Sequence, residues 1–128
     1  AAAGLPDHGP GLPDLLAAAL PGARDGAVYL ALDSSRRETA SEARLYRAWG
    51  SDVSGQNLVP EAALAKELGL CFGGLLTVTD VAADLPQPPA RGEVREATRR
   101  IIEAIPRVIA ALPSVRRCLC GTGQREGN

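Results

Sequence analysis

Residues able to do chemistry gather at four places in this sequence. Arg36-Arg37-Glu38-Thr39 sets two guanidiniums, a carboxylate and a hydroxyl in succession, and Gln56-Asn57 offers two amides. Thr77-Val78-Thr79-Asp80 ends an apolar run on a carboxylate, and Cys118-Leu119-Cys120 puts two thiols one residue apart near the C-terminus. Each has a functional and a plain reading. Burial beside an apolar strand disfavours a charged carboxyl and turns it into a hydrogen-bond donor; Asp80 serves equally well as a cap for a loop or helix. Gln56 and Asn57 also read as solvated turn residues. The cysteine pair reads as exposed thiols on a loose end or as a redox pair. Neither thiol completes a zinc site, because the single histidine, His8, is far away in sequence. Gly9-Pro10-Gly11 is no phosphate cradle, since Pro10 lacks the amide donor that a cradle needs.

The elements that must position these groups follow from punctuation and periodicity. Pro13 opens a short helix that runs to residue 20 and closes at Pro21-Gly22. Residues 27–32 alternate around Tyr29 as a strand. Thr39 or Ser41 caps a helix over 42–49 that stops at Gly50, with Ala43, Tyr46 and Trp49 on one face. Residues 52–55 form a short connection or a strand end. Pro60 starts a helix over 61–68, with Gly69 as its stop. Residues 70–79 form a continuous apolar run, which predicts a strand buried on both faces, with Cys71 a buried small hydrophobe. Gly73-Gly74 within that run predicts a bulge or a close backbone approach. A proline-rich loop follows. The last helix covers 92–112, with Val94, Ala97, Ile101, Ile105, Val108 and Leu112 as its apolar stripe and a kink at Pro106. Arg95, Arg99, Arg100 and Arg107 fall mainly on solvated faces, and residues 117–128 read as frayed.

Composition narrows the function classes. The chain of 128 residues suits one domain, and its 23% charged and 45% hydrophobic residues are ordinary for a globular protein. A net charge of -1 supplies no field for nucleic acid or anionic lipid, and 3% aromatics leave few platforms for base stacking. No run is long enough to span a membrane, and no basic, apolar leader opens the sequence, so a cytoplasmic location is expected. The start at Ala1 and the absence of Met fit initiator removal or cleavage from a longer precursor. Helices alternating with strands predict an α/β fold, yet two strands leave edges and a face uncovered, so a partner is expected.

Three blocks carry a family resemblance. They are Glu38-Thr39 and Glu42 followed by Leu45-Tyr46-Arg47-Ala48-Trp49-Gly50-Ser51-Asp52-Val53; Val59-Pro60-Glu61-Ala62-Ala63-Leu64-Ala65-Lys66-Glu67-Leu68-Gly69-Leu70-Cys71; and Thr77-Val78-Thr79-Asp80. In order and spacing they resemble the C-terminal half of trimeric-type purine nucleoside phosphorylases, most closely the methylthioadenosine phosphorylase branch. The implied fold is α/β, an incomplete nucleoside-phosphorylase-like architecture with a mostly parallel or mixed sheet flanked by helices. Residues 1–25 are then a lead-in and short helix, 26–112 the half-domain and 113–128 a flexible tail. C-terminal pairs like Cys118 and Cys120 occur in some methylthioadenosine phosphorylases, which supports the redox reading.

The resemblance also implies a chemistry. Family members hold a purine nucleoside between a phosphate site and a base site, and the purine leaves as phosphate attacks the anomeric carbon. Asp80 matches the purine-contacting Asp and would protonate or hydrogen-bond N7. Asn57 falls where the family often has a hydroxyl near phosphate, and Gln56 where it has a ribose-contacting Met. Where the family has Gly-Pro-Arg-Phe-Glu-Thr, this chain has Ser34-Ser35-Arg36-Arg37-Glu38-Thr39, which puts Arg37 at the Phe along the purine face. A planar guanidinium can stack there too. The carboxylate that selects 6-amino purines would fall at Ala82, so adenine selectivity does not carry over. The implied set is Arg36, Arg37, Glu38, Thr39, Gln56, Asn57 and Asp80 for substrate, with Asp80 catalytic, no metal, and no cofactor beyond phosphate as co-substrate.

The family's glycine-rich phosphate loop and its Arg-His pair have no counterpart in this sequence. Three readings follow. The chain is a pentosyltransferase subunit whose phosphate ligands come from another chain, or a non-catalytic subunit that stabilises an active relative, or a small α/β interaction module. The first two predict an oligomer of the family's trimer type, with no nucleic-acid partner.

Overall fold

The computed structural model describes residues 11–33 and 36–115. His8, Ser34, Ser35, Cys118, Cys120 and most of the expected tail lie outside the described residues.

Local hydrogen bonds explain where each helix begins and ends. α1 (Leu12–Ala19) starts where Asp14 Oδ2 accepts from the Gly11 amide at 2.7 Å, with Pro13 in the first turn, where a missing N–H has no intrahelical partner to lose. α2 (Ala40–Ala48) starts with a reciprocal cap: Thr39 Oγ1 accepts from the Glu42 amide at 3.2 Å, and Glu42 Oε2 accepts from the Thr39 amide at 2.8 Å. Its end is a Schellman turn. Gly50, at φ 86°, donates to Arg47 O at 2.9 Å, and Ser51 donates to Tyr46 O at 3.1 Å. α3 (Leu58–Glu67) repeats that turn, with Gly69 at φ 62° donating to Lys66 O at 3.0 Å and Leu70 to Ala65 O at 2.7 Å. α3 begins at Leu58 rather than at residue 61. Pro60 is thus its third residue, still within the turn whose amides need no helical acceptor.

The sheet has two parallel strands, β1 (Tyr29–Ala31) and β2 (Val53–Gly55), with Tyr29 opposite Val53 and Ala31 opposite Gly55. Asp52 fastens their start. Its Oδ2 accepts from the Val28 amide at 2.9 Å and its Oδ1 from Arg24 at 2.6 Å, which holds its pKa below the usual carboxylate range, chiefly through the Val28 bond. The short connection expected over 52–55 is therefore mostly strand.

α4 (Arg91–Ala111) runs through Pro106 and packs against α1. Its inner stripe is Val94, Ala97, Ile101, Ala104 and Val108, with Ala104 fully buried; Ile105 and Leu112, expected inside, are exposed. The stripe drifts because 3.6 residues per turn carries the inward face from Ile101 to Ala104 and then Val108. Arg100 and Arg107 are not merely solvated. They donate to Pro21 O at 2.7 Å and Ala19 O at 2.9 Å, supplying positive charge to an α1 C-terminus that has no basic residue of its own in the last turn.

The largest departure concerns residues 70–79. They belong to no helix or strand, and no backbone hydrogen bond among the described residues joins 72–79 to another element. Burial alternates along the run. Cys71, Gly73, Leu75 and Thr77 are half-buried, whereas Phe72, Leu76 and Val78 are 37%, 44% and 54% exposed. The two glycines do permit a close approach: a Cβ on Gly73 would sit 2.7 Å from Leu16 Cδ1 of α1, and one on Gly74 3.1 Å from Leu58 Cδ1 of α3. The run thus passes between helices as a sheet strand does, with no strand paired to it among the described residues.

Buried apolar residues among those described are few and small: Ala43, Ala65, Ala104 and Val108. Trp49, placed on one face of α2 with Ala43 and Tyr46, lies in the open against Tyr46 at 5.9 Å between ring centroids, whereas Ala43 is buried. Leu64, Leu68, Ile102 and Ile109 are exposed as well, more apolar surface than an isolated domain usually leaves to water. No helix among the described residues is long and apolar enough to cross a membrane.

Candidate functional site

Between β2 with the turn that follows it, one face of α2 and the stretch 76–82, a cavity of about 660 Å³ opens. That lies within the size range of small-molecule sites. Arg37, Glu38, Gln56, Asn57 and Asp80, separated by up to 43 residues in sequence, all line it. Arg36 and Thr39 are not in its wall. They serve the cap of α2 instead, where Arg36 grips both oxygens of Glu42 at 2.8 and 2.5 Å. That grip, with the Thr39 amide and hydroxyl, lowers the Glu42 pKa to about 2.

Asp80 is not buried beside an apolar strand as expected. Its side chain is 51% exposed, because the unpaired run leaves this end of the chain open. Arg37 Nη1 lies 2.9 Å from Asp80 Oδ2, and Asp80 Oδ1 accepts from the Val81 amide at 2.8 Å. Arg37 also donates to Val81 O at 2.6 Å, so the guanidinium ties the 36–39 turn to the end of the run. Glu38 adds a second tie, its Oε1 accepting from the Ala83 amide at 3.1 Å. Arg47 adds a third, a bidentate pair with Asp84 at 2.9 Å for each bond. Asp84 is only 12% exposed, and the Arg47 bonds hold its pKa below the ordinary value and raise that of Arg47.

On the opposite wall the Tyr29 hydroxyl accepts from the Asn57 amide at 3.3 Å, which orients the turn into α3. Gly55 makes this possible, since any Cβ there would collide with the Tyr29 hydroxyl. Asn57 itself precedes α3 without a side-chain cap bond. The cavity therefore carries two guanidiniums, three carboxylates, two amides and two tyrosine rings, a set suited to a flat polar heterocycle bearing hydroxyls. Tyr29, Tyr46, Arg47 and Asp52 also line it and were not singled out as site residues. Tyr46, Arg47 and Asp52 lie inside the first resemblance block, but Tyr29 gave no signal beyond an aromatic in an alternating strand. Ala82 lines the cavity as an apolar wall.

The phosphorylase superfamily is matched over residues 17–113. The chain is 35% identical over 105 residues to S-methyl-5'-thioadenosine phosphorylase of Pyrobaculum aerophilum, covering 74% of this chain and 38% of the relative. It is 36% identical over 97 residues to 6-oxopurine nucleoside phosphorylase of Pyrococcus furiosus, covering 72% and 37%. It is 32% identical over 96 residues to S-methyl-5'-thioadenosine phosphorylase of Thermofilum pendens, again covering 72% and 37%. The chain thus spans less than two-fifths of the length of these relatives. No solved structure matches it significantly. With the family match extending over most of the described residues, the chain belongs to the phosphorylase superfamily, and its relatives there are nucleoside and methylthioadenosine phosphorylases.

Proposed function

We propose that this chain supplies the purine and ribose side of a nucleoside phosphorylase site, and that a second polypeptide supplies the phosphate ligands. The observation that carries the reading is the single cavity lined by Arg37, Glu38, Gln56, Asn57 and Asp80. A purine seated there takes over the Arg37–Asp80 contact: the guanidinium stacks on the base, and Asp80 hydrogen-bonds N7 as the glycosidic bond breaks. Phosphate attacks the anomeric carbon, the electrons of the C–N bond leave with the purine, and N7 takes the proton of the Asp80 carboxyl, which is left as the carboxylate. Glu38, Gln56 and Asn57 meet the ribose hydroxyls. Substrates of the relatives' kinds, 6-oxopurine nucleosides and S-methyl-5'-thioadenosine, fit this cavity class, with Ala82 offering no partner for a 6-amino group.

The experiment mixes the chain with a polypeptide carrying the phosphate half and measures purine release from both nucleoside types with phosphate present. The reading expects release from the complex, little or none from the chain alone, and loss of turnover in Asp80→Asn. An undiminished rate in that variant retires Asp80 from the chemistry. One observation favours a second reading, a non-catalytic subunit that stabilises an active relative: both Asp80 oxygens are already engaged by Arg37 and the Val81 amide. A complex that forms and stays inactive on both substrates selects this alternative.

A further inference from the structure

We infer that Arg47 and Asp84 are the positioning pair of the base side of the cavity: they hold the turn over 82–85, and Asp80 with it, once a ligand has claimed the other contacts of that stretch. This rests on the functional reading above and adds to it the pair through which Asp80 keeps its place in the occupied site.

The stretch 80–85 has little backbone support. Among the described residues no backbone hydrogen bond joins it to another element, and its bond from the Leu85 amide to Ala82 O, at 2.9 Å, closes the turn without placing it. Placement comes from side chains of α2 and of the residues just before it. Arg37 donates to Val81 O, Glu38 accepts from the Ala83 amide, and Arg47, in the last turn of α2, holds Asp84 through two bonds of 2.9 Å. The three ties are not equal. Arg37 and Asp80 are both about half exposed, and Glu38 contributes one bond. The Arg47–Asp84 contact is bidentate and its carboxylate is largely shielded, the form of ion pair that both binds well and fixes direction.

Occupancy separates them further. Arg37 and Glu38 line the cavity and are the residues that the purine and the ribose recruit, so a bound nucleoside competes for both of their ties to 80–85. Arg47 borders the same cavity, but its two forked donors are turned on Asp84. With ligand in place, the pair is what still fastens the turn to α2. A lysine keeps the charge but not the fork, so it is a poor substitute for this role.

Titration calorimetry of the full chain with inosine, and separately with S-methyl-5'-thioadenosine, tests this. Arg47→Lys gives up one of two charge-assisted bonds and weakens binding by about 10-fold. Asp84→Asn does the same, and stands in if the lysine variant does not fold. The reversed pair, Arg47→Asp with Asp84→Arg, binds more tightly than either single variant. Hydrogen exchange of the Leu85 amide separates positioning from mere stabilisation: it is alike in the native chain and Arg47→Lys without ligand, and about 10-fold faster in the variant at saturating ligand. Native affinity in a folded single variant, with or without a lower Tm, overturns the inference. So does weakened binding with the Leu85 amide unchanged at saturation, which makes Arg47 a direct ligand contact. A native chain that binds neither nucleoside sinks the functional reading, and this inference with it; native binding that the variants share sinks this inference alone.

Discussion

The close approach of Gly55 to Tyr29 makes the geometry of the cavity wall testable through Gly55→Ala. The new Cβ meets the Tyr29 hydroxyl outright and lies 3.0 Å from Cζ and 3.1 Å from Cε2, so the ring must swing aside. Swinging breaks the 3.3 Å bond from the Asn57 amide, which is long and exposed and so contributes about 0.5 kcal/mol. Forcing the ring off its place costs about 1–3 kcal/mol. Lower entropy of the unfolded chain returns about 0.4–1 kcal/mol. The net loss is about 2 kcal/mol, which lowers Tm by about 8 °C at about 4 °C per kcal/mol, the value between the scales for smaller and larger domains. Thermal unfolding followed by far-UV circular dichroism measures it. Tyr29→Phe removes the colliding oxygen, so the double variant should recover about 1 kcal/mol relative to Gly55→Ala alone. If the two substitutions simply add, the tyrosine ring does not stand over Gly55 and the described cavity wall is wrong.

Three further outcomes follow from the same contacts. Thr39→Ala removes the cap of α2 and should cost about 1 kcal/mol, read as a lower Tm with reduced helicity. Glu42 is held at about 2, below its ordinary 4.5, so its contribution to stability is present above pH 4.5 and is lost as pH falls from there through about 2. Glu42→Gln should flatten that part of the stability–pH curve, and added salt should flatten it for the native chain too, because the Arg36–Glu42 pair is at the surface. An unchanged curve removes the network from the account. The exposed leucines, isoleucines and valines should bind a hydrophobic dye such as ANS in the isolated chain; a chain that binds none has its apolar faces covered.

Much of the helical frame was legible in the sequence because helix ends are local chemistry. Thr39 with Glu42 writes a capping box, and Gly50 and Gly69 sit where left-handed residues close Schellman turns, all within a few residues of each other. The close approach at Gly73 and Gly74 was readable because two glycines interrupt an apolar run, and the grouping of Arg37, Glu38, Gln56, Asn57 and Asp80 because the resemblance carried the spacing. Tertiary structure alone decided three things. The run 70–79 has strand composition but no strand, since pairing needs a neighbour that no residue pattern within the run can supply. Asp80 lies half in water against Arg37, because its burial depends on what covers that open end. Arg100 and Arg107 are exposed as expected but reach the end of α1, since a free carbonyl 79 or 88 residues away leaves no trace in the local pattern.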